Sequence, residues 1–146
     1  MLLNREWIEA RIPHRGRMCL LDEVIEWNAN GVRCRTSTHR APDNPLRAHQ
    51  RLGVACGVEY AAQAMALHGA LSGGGVSQVG LLASVRDVRL FVLRLDDIES
   101  DLICEVTHLA GDDLTALYEF ELRDQERRLL SGRATVVLDA ASRSRS

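Results

Sequence analysis

The chain has 146 residues, of which 46% are hydrophobic and 26% are charged, and its formal net charge is −2. This length suits one ordinary globular domain with a substantial core, and the small net charge gives no support to a nucleic-acid-binding protein. The sequence contains no lysine, which excludes a Schiff-base lysine and the lysine of a phosphate-binding P-loop. The N-terminus has no basic region followed by an apolar segment, so we expect a cytoplasmic protein without a membrane role.

The first part of the chain predicts a short helix, a β-hairpin and a loop. Asn4 can cap a helix over residues 5–10, which Pro13 ends. Two strand-like segments, residues 19–27 and 32–38, flank the sequence Asn-Ala-Asn-Gly, which is rich in turn-forming residues, and predict a hairpin. Residues 40–50 are polar and contain two prolines, so we expect a loop there.

The remainder predicts one long helix followed by strands. Residues 54–71 form the helix, which ends at a serine and three glycines. Four β-rich segments follow, at residues 80–95, 102–110, 114–123 and 129–139. This order favours an α+β domain over residues 1–139, in which an antiparallel sheet wraps one long central helix, with a flexible tail at residues 140–146. The sheet edges left open by such a fold predict a dimer.

One carboxylate, Glu59, lies near the start of the long helix and is the only charged residue between Arg51 and Arg86. The same helical face carries three small or uncharged residues, Ala62, Gln63 and Ala66. An ionised glutamate without a partner is costly to bury, so we expect Glu59 to be paired, hydrogen-bonded or kept protonated as a proton donor. The alternative is a place on a solvent-facing stripe of the helix, which is usual for glutamate.

The four cysteines are scattered and form no CxxC pair, which disfavours a zinc ribbon or a redox dithiol. They are Cys19, Cys34, Cys56 and Cys104. We expect buried free thiols. Cys56 lies just before the helix and is a conceivable nucleophile, although packing is the favoured interpretation.

Two motifs resemble those of a known family. Residues 12–24 have the sequence Ile-Pro-His-Arg-Gly-Arg-Met-Cys-Leu-Leu-Asp-Glu-Val, which resembles the opening segment of the hotdog-fold 3-hydroxyacyl-acyl-carrier-protein dehydratases. Glu59 followed by Gln63 is similar to the Glu and Gln pair on the central helix of that family. The closest branch is the dehydratase-like proteins of aryl-polyene-type biosynthesis, and the motifs cover about residues 12–71.

The resemblance implies a hotdog fold, no cofactor, and dehydration of a 3-hydroxyacyl thioester on an acyl carrier protein to the trans-2-enoyl thioester. It also implies a homodimer, or a heterodimer with a homologous hotdog subunit. In such a site, which lies at the interface between the two subunits, a histidine of one subunit removes the α-proton and protonated Glu59 of the other supplies a proton to the departing hydroxyl. Backbone amides bind the thioester oxygen. We expect the amides of Gly53 or Val54, at the start of the helix, in the last role. Gln63 is expected to contact the substrate.

The sequence departs from the family at the catalytic histidine. The family has a His-Phe-Pro-x-x-Pro segment, whereas residues 39–45 here are His-Arg-Ala-Pro-Asp-Asn-Pro. The two prolines keep their spacing, but the histidine is displaced by one residue and a longer loop follows. We predict His39 as the base, with His49 as the second candidate. His14 matches a family position that is usually structural, so we expect no catalytic role for it.

Two alternative functions remain open. One is a hotdog thioesterase, in which Glu59 activates water or attacks the carbonyl, and the other is a catalytically weak subunit that pairs with an active homologue. Four arginines are candidates for contact with the phosphopantetheine phosphate or an acidic carrier protein, namely Arg15, Arg17, Arg86 and Arg89.

Overall fold

The computed structural model describes residues 3–72, 80–125 and 127–138. Seven strands form one sheet, and they are β1 (Leu3–Asn4), β2 (Glu23–Asn28), β3 (Gly31–Thr36), β4 (Gly80–Leu90), β5 (Leu102–Gly111), β6 (Thr115–Asp124) and β7 (Arg127–Leu138). The spatial order is β1-β2-β3-β5-β6-β7-β4, and each neighbouring pair is antiparallel. The helices are α1 (Arg5–Glu9) and α2 (Gly57–Ser72), with short 3-10 turns at Gly16–Met18, Thr38–Arg40 and Val54–Cys56.

The long helix α2 packs against the middle of the sheet, on strands β3, β5 and β6. Its apolar and small side chains are buried there, including Tyr60, Ala61, Ala64, Met65 and Leu67. Gly57, the first residue of the helix, lies very close to the sheet. A Cβ at this position would lie 2.7 Å from the side chain of Leu130, so a glycine is needed for this close packing. The predicted α+β architecture, with an antiparallel sheet around one central helix, is therefore confirmed.

Several boundaries differ from the predicted ones. The first hairpin strand begins at Glu23 rather than at residue 19, because the amide and carbonyl of Leu20 bond to the side chains of Gln63 and Thr38 instead of to a neighbouring strand. A 3-10 turn takes up the first residues of the predicted long helix. The strand β1 was not predicted. Asn4 caps α1 as expected, since its Oδ1 accepts a hydrogen bond from the Trp7 amide at 3.1 Å.

The predicted glycine-rich helix end and the flexible tail lie outside the described residues, apart from Ser72, the last residue of α2. Within the described ranges, no helix is both long and apolar enough to cross a membrane.

Candidate active site

His14 and Glu59 face each other beside the first turn of α2. Their closest atoms, Nε2 of His14 and Oε1 of Glu59, are 3.7 Å apart, and the two side chains are 26% and 45% exposed. A carboxylate in the first turn of a helix lies near the positive end of the helix dipole, which stabilises it. Glu59 is half-buried in the single chain, which lies between the paired carboxylate that we expect and the solvent-facing alternative. It has, however, the imidazole neighbour that a paired carboxylate requires.

The loop that carries His14 is held in place by two arginines. Arg5 donates hydrogen bonds to the carbonyls of Gly16 at 2.7 Å and Cys19 at 2.6 Å, and Arg15 donates to the carbonyl of Ile12 at 2.6 Å. Each bond pairs a charged donor with a backbone acceptor, which is stronger than a neutral pair. The loop is thereby fixed to the N-terminal segment, and the position of the His14 backbone is fixed with it.

Gln63 lies one helical turn after Glu59 and joins α2 to the same loop. Its side-chain nitrogen donates to the carbonyl of Met18 at 2.7 Å, and its side-chain oxygen accepts from the amide of Leu20 at 2.8 Å. The residue is 1% exposed. The predicted substrate contact of Gln63 is not supported by this geometry, because both polar ends of the side chain are occupied by the main chain.

Within the described residues of the single chain, His39 makes no hydrogen bond or ion pair with Glu59. It is fully buried in the 3-10 turn Thr38–Arg40, and its Nε2 lies 3.0 Å from the carbonyl of Ile98. A carbonyl can only accept, so Nε2 carries the proton in this contact and Nδ1, which is buried without a partner, is bare. Burial lowers the pKa of the ring. A ring enclosed in this way cannot reach a substrate, or the carboxylate of another subunit, unless the segment moves, so the geometry argues against the predicted role of His39 as the base.

The backbone amides at the start of the helix differ from each other. The Val54 amide donates to the carbonyl of Leu93 at 3.1 Å, so the expectation that it is open to a thioester oxygen is not met. The Gly53 amide has no hydrogen-bond partner within the described residues, and Gly53 is exposed. Of the two predicted donors, only Gly53 is free.

The remaining histidines lie away from the pair. His49 is exposed at the tip of a tight turn closed by reciprocal hydrogen bonds between the backbones of Ala48 and Arg51. His68 is buried further along α2, where Nδ1 lies 2.8 Å from the Tyr118 hydroxyl and Nε2 lies 3.0 Å from the Asn28 carbonyl. Burial also lowers the pKa of His68. The geometry gives His68 a packing role.

The cysteines supply no exposed nucleophile. Cys19, Cys34 and Cys104 are free and buried, and burial raises the pKa of each thiol, to about 12 for Cys34. Cys56 is half-buried, and its thiol lies 3.8 Å from the carbonyl of Leu46. Within the described ranges, no three metal-ligating side chains cluster in a way that could hold an ion.

The structure therefore places Glu59 beside the imidazole of His14, whereas the predicted base, His39, is enclosed elsewhere in the single chain. The signal for His14 was present, because this residue belongs to the Pro-His-Arg motif that carried the family resemblance. What the sequence could not provide is the fold of the loop, which turns that imidazole toward α2. The site brings together a carboxyl and an imidazole, which are the two side chains most used for proton transfer.

Comparison with known proteins identifies the family. The model of the ApeP-like family, described as ApeP dehydratase, matches residues 7–144. The chain belongs to the ApeP-like dehydratase family. Membership makes it a dehydratase, an enzyme that removes water from its substrate, as the sequence motifs predicted. No curated protein matches the chain in sequence.

Solved structures share the fold of this ApeP-like chain. It is similar to a chain of the dehydratase heterocomplex ApeI:P from Xenorhabdus doucetiae, with a TM-score of 0.80, 22% identity and 92% of each chain covered. Zebra fish thioesterase superfamily member 2 has a TM-score of 0.66 at 14% identity, over 92% of this chain and 95% of that one. A hypothetical thioesterase with coenzyme A from Streptococcus pneumoniae TIGR4 has a TM-score of 0.60 at 14% identity, over 80% and 84%. These likenesses confirm the predicted hotdog fold.

Proposed function

We propose that this ApeP-like dehydratase removes water from a 3-hydroxyacyl thioester held by an acyl carrier protein, and that His14 and Glu59 transfer the protons. The observation that carries the proposal is the 3.7 Å approach of His14 Nε2 to Glu59 Oε1, at a place where both side chains are partly open to solvent. A substrate placed beside the pair would meet two proton-transferring groups at once.

The reaction takes one proton from the substrate and gives one proton to its departing hydroxyl group. Neutral imidazole of His14 takes the proton from the α-carbon, the electron pair of that C–H bond forms the double bond, and the C–O bond at the β-carbon breaks. Protonated Glu59 gives its proton to the departing hydroxyl, which leaves as water. His14 then holds a proton and Glu59 lacks one. At 3.7 Å the proton can return through a small movement or one bridging water, and the site is reset.

The thioester oxygen also needs a hydrogen-bond donor, because negative charge develops on it as the α-proton leaves. The Gly53 amide is the proposed donor, since it is exposed and has no partner in the part of the chain that the structure describes. Gly53 immediately precedes the 3-10 turn Val54–Cys56 that leads into α2. Its amide therefore belongs to the same helix start as Glu59.

A second hotdog subunit is part of the proposal. The carboxyl of Glu59 is not removed from water in the single chain, whereas a protonated acid is favoured in a desolvated site. The sheet ends at β4, whose exposed side chains include Leu82, Val88 and Leu90. A long free strand edge with exposed apolar side chains is a surface that proteins normally cover. The similarity to a chain of the ApeI:P heterocomplex supports a homologous partner.

The free edge lies near the site. Leu93, which follows β4, is 91% exposed, and its carbonyl accepts the hydrogen bond from the Val54 amide. A subunit that packed on the end of β4 would therefore border the start of α2, where Glu59 lies. This position would allow the partner to cover the site and to line the channel for the acyl chain.

For the carrier protein, Arg17 is the proposed contact. It is exposed on the loop of His14 and makes no hydrogen bond or ion pair within the described ranges. Arg15 is engaged with backbone carbonyls. A guanidinium is well suited to the phosphopantetheine phosphate or to acidic side chains of a carrier protein. Such a substrate would place the reaction in the cytoplasm, in fatty-acid-like or polyene biosynthesis.

The proposal is tested with a 3-hydroxyacyl carrier protein in three incubations. The first contains this chain alone, the second contains only the partner, a homologous hotdog subunit from the same source, and the third contains both subunits. Mass spectrometry of the carrier protein then separates the three functions. Loss of one water supports dehydration, and loss of the whole acyl group indicates the thioesterase alternative. Water loss that occurs at the same rate with the partner alone as with both subunits indicates the catalytically weak subunit. No change in any mixture contradicts the proposed substrate.

A further inference from the structure

We infer that Gln63 is a positioning residue that sets the distance between His14 and Glu59, by fixing the loop of His14 to the helix of Glu59. The inference rests on the proposed function for its effect on catalysis. The tether itself is a separate property of the fold, and it can be measured without any activity.

The geometry assigns each end of the Gln63 side chain. The Leu20 amide can only donate and the Met18 carbonyl can only accept, so the amide oxygen of Gln63 must face Leu20 and its nitrogen must face Met18. The bonds are 2.8 Å and 2.7 Å long, and the residue is 1% exposed. No other uncharged side chain of this length offers both an acceptor and a donor at its end. The two bonds therefore select glutamine.

The position of Gln63 on α2 couples this tether to the site. Glu59 and Gln63 are four residues apart, so their side chains lie on the same face of the helix, one turn from each other. His14 precedes Met18 by one short loop, and the 3-10 turn Gly16–Met18 fills most of that interval. A shift of Met18 relative to α2 would therefore change the position of His14 relative to Glu59.

Other bonds of the loop do not replace this tether. Arg5 and Arg15 connect the loop to itself and to the N-terminal segment rather than to α2. The contact between His14 and Glu59 is longer than a hydrogen bond, so it does not hold the loop by itself. The described hydrogen bonds between the loop and α2 are the two that Gln63 makes, and they fix the position of the loop relative to the helix.

Two substitutions separate positioning from simple loss of stability. Gln63→Met keeps the length of the side chain and removes both bonds. Gln63→Glu keeps the acceptor for Leu20, but as a carboxylate it places a second acceptor against the Met18 carbonyl. When that carboxyl is protonated, it donates to Met18 and restores both bonds. Because the position is buried, the introduced carboxyl should titrate above the ordinary glutamate value of about 4.3.

Tyr118→Phe is the matched control. It removes one buried hydrogen bond to α2, the one to His68, at a distance of about 13 Å along the helix from Glu59. It should lower stability without changing the site.

The dehydration rate of each variant is measured relative to the wild-type chain at pH values between about 8 and about 5.5, on either side of the ordinary histidine value. For Gln63→Glu, we expect the rate relative to the wild type to be at least about 10-fold higher at the acid end of the range than at the alkaline end, because protonation of the introduced carboxyl restores one buried hydrogen bond. Gln63→Met should be slow at every pH, mainly through kcat rather than KM, and Tyr118→Phe should follow the wild type. A wild-type kcat for Gln63→Met overturns a positioning role.

Two measurements test the tether independently of catalysis. Hydrogen exchange at the Leu20 amide should be faster in Gln63→Met than in the wild type and in Tyr118→Phe. In a crystal structure of Gln63→Met, the separation of His14 Nε2 and Glu59 Oε1 should exceed that in the wild type. An unchanged separation overturns the inference even if the enzyme is inactive. A lengthened separation in an enzyme that tolerates loss of His14 upholds the tether and contradicts the proposed function instead.

Discussion

The imidazole of His14 and the carboxyl of Glu59 lie 3.7 Å apart, although one belongs to a loop before β2 and the other to the first turn of α2. The approach depends on Arg5, which folds the loop back, and on Gln63, which fastens it to the helix. A pair held in this way from two sides can exchange a proton without rearrangement of the backbone. Pre-arranged groups of this kind are what an enzyme needs for proton transfer.

The first prediction concerns the pH dependence of stability. Burial lowers the pKa of both His39 and His68, so each ring is harder to protonate in the folded chain than in the unfolded chain. As the pH falls through the ordinary histidine value of about 6.5, the unfolded state binds more protons than the folded state. The free energy of unfolding should therefore be largest above about pH 7 and should decrease as the solution is acidified toward pH 5.

Urea denaturation at several pH values measures this dependence. His39→Gln and His68→Gln should each make it shallower, whereas His49→Gln should not, because His49 is exposed. Asp96 contributes only at more acidic pH, since the hydrogen bond from Arg94 lowers the pKa of its carboxyl. If the free energy of unfolding of His39→Gln depended on pH as steeply as that of the wild type, burial would not be what keeps the His39 ring neutral.

The fold could be predicted because its signals are local. Alternating side chains mark β5 and β6, whose buried and exposed positions alternate as expected of strands with one face on the core. The central helix was evident from its run of alanines and other apolar residues, which pack against the sheet. Turn-forming residues between these segments gave the order of the elements.

The site was predicted less well because its geometry depends on contacts between distant segments. The enclosure of His39 depends on Ile98, far along the chain, whose carbonyl lies 3.0 Å from Nε2 of His39. Glu59 is 45% exposed in the single chain although its sequence neighbours are small. No local sequence pattern indicates the enclosure of His39 or the exposure of Glu59.

The second prediction concerns assembly. If a homologous subunit packs on the end of β4, Leu93→Arg should weaken the complex, because it would place a charge in an apolar interface. Leu114→Arg is the matched control, since Leu114 is also exposed but lies in the turn between β5 and β6. Light scattering of the two variants, alone and with the partner subunit, measures the effect. Equal association of both variants would contradict the proposed surface, and a stable wild-type monomer without a recovered partner would contradict a shared site.

The third prediction compares the arginines. Arg89 on β4 pairs with Ser131 on β7, and Ser131 pairs with Glu121 on β6. Paired residues point to the same face of a sheet, so the side chain of Arg89 lies in a polar row on the face away from α2. Arg17 lies on the loop of His14. Arg17→Glu should therefore raise the KM for a carrier-bound substrate by about 10-fold, with little effect on a short pantetheine thioester, because a repulsive charge at a docking surface acts mainly on association.

Arg89→Glu is the control for this comparison and should leave the KM for the carrier-bound substrate near the wild-type value. Steady-state kinetics with both substrates measure the difference. If Arg89→Glu has the larger effect, the carrier protein docks on the outer face of the sheet instead.

The most direct test of the account is the rate of water loss from a 3-hydroxyacyl carrier protein in three variants, assembled with the partner subunit where the wild type needs it. Glu59→Gln keeps the shape of the side chain and removes its transferable proton, and His14→Gln removes the imidazole. Each should slow dehydration by about 10²-fold or more, and the double variant should be little slower than either single one, because the pair acts as a unit. His39→Gln should retain most of the turnover while lowering stability. Near wild-type dehydration by His14→Gln, together with loss of turnover in a folded His39→Gln, would contradict the account and return the role of the base to His39.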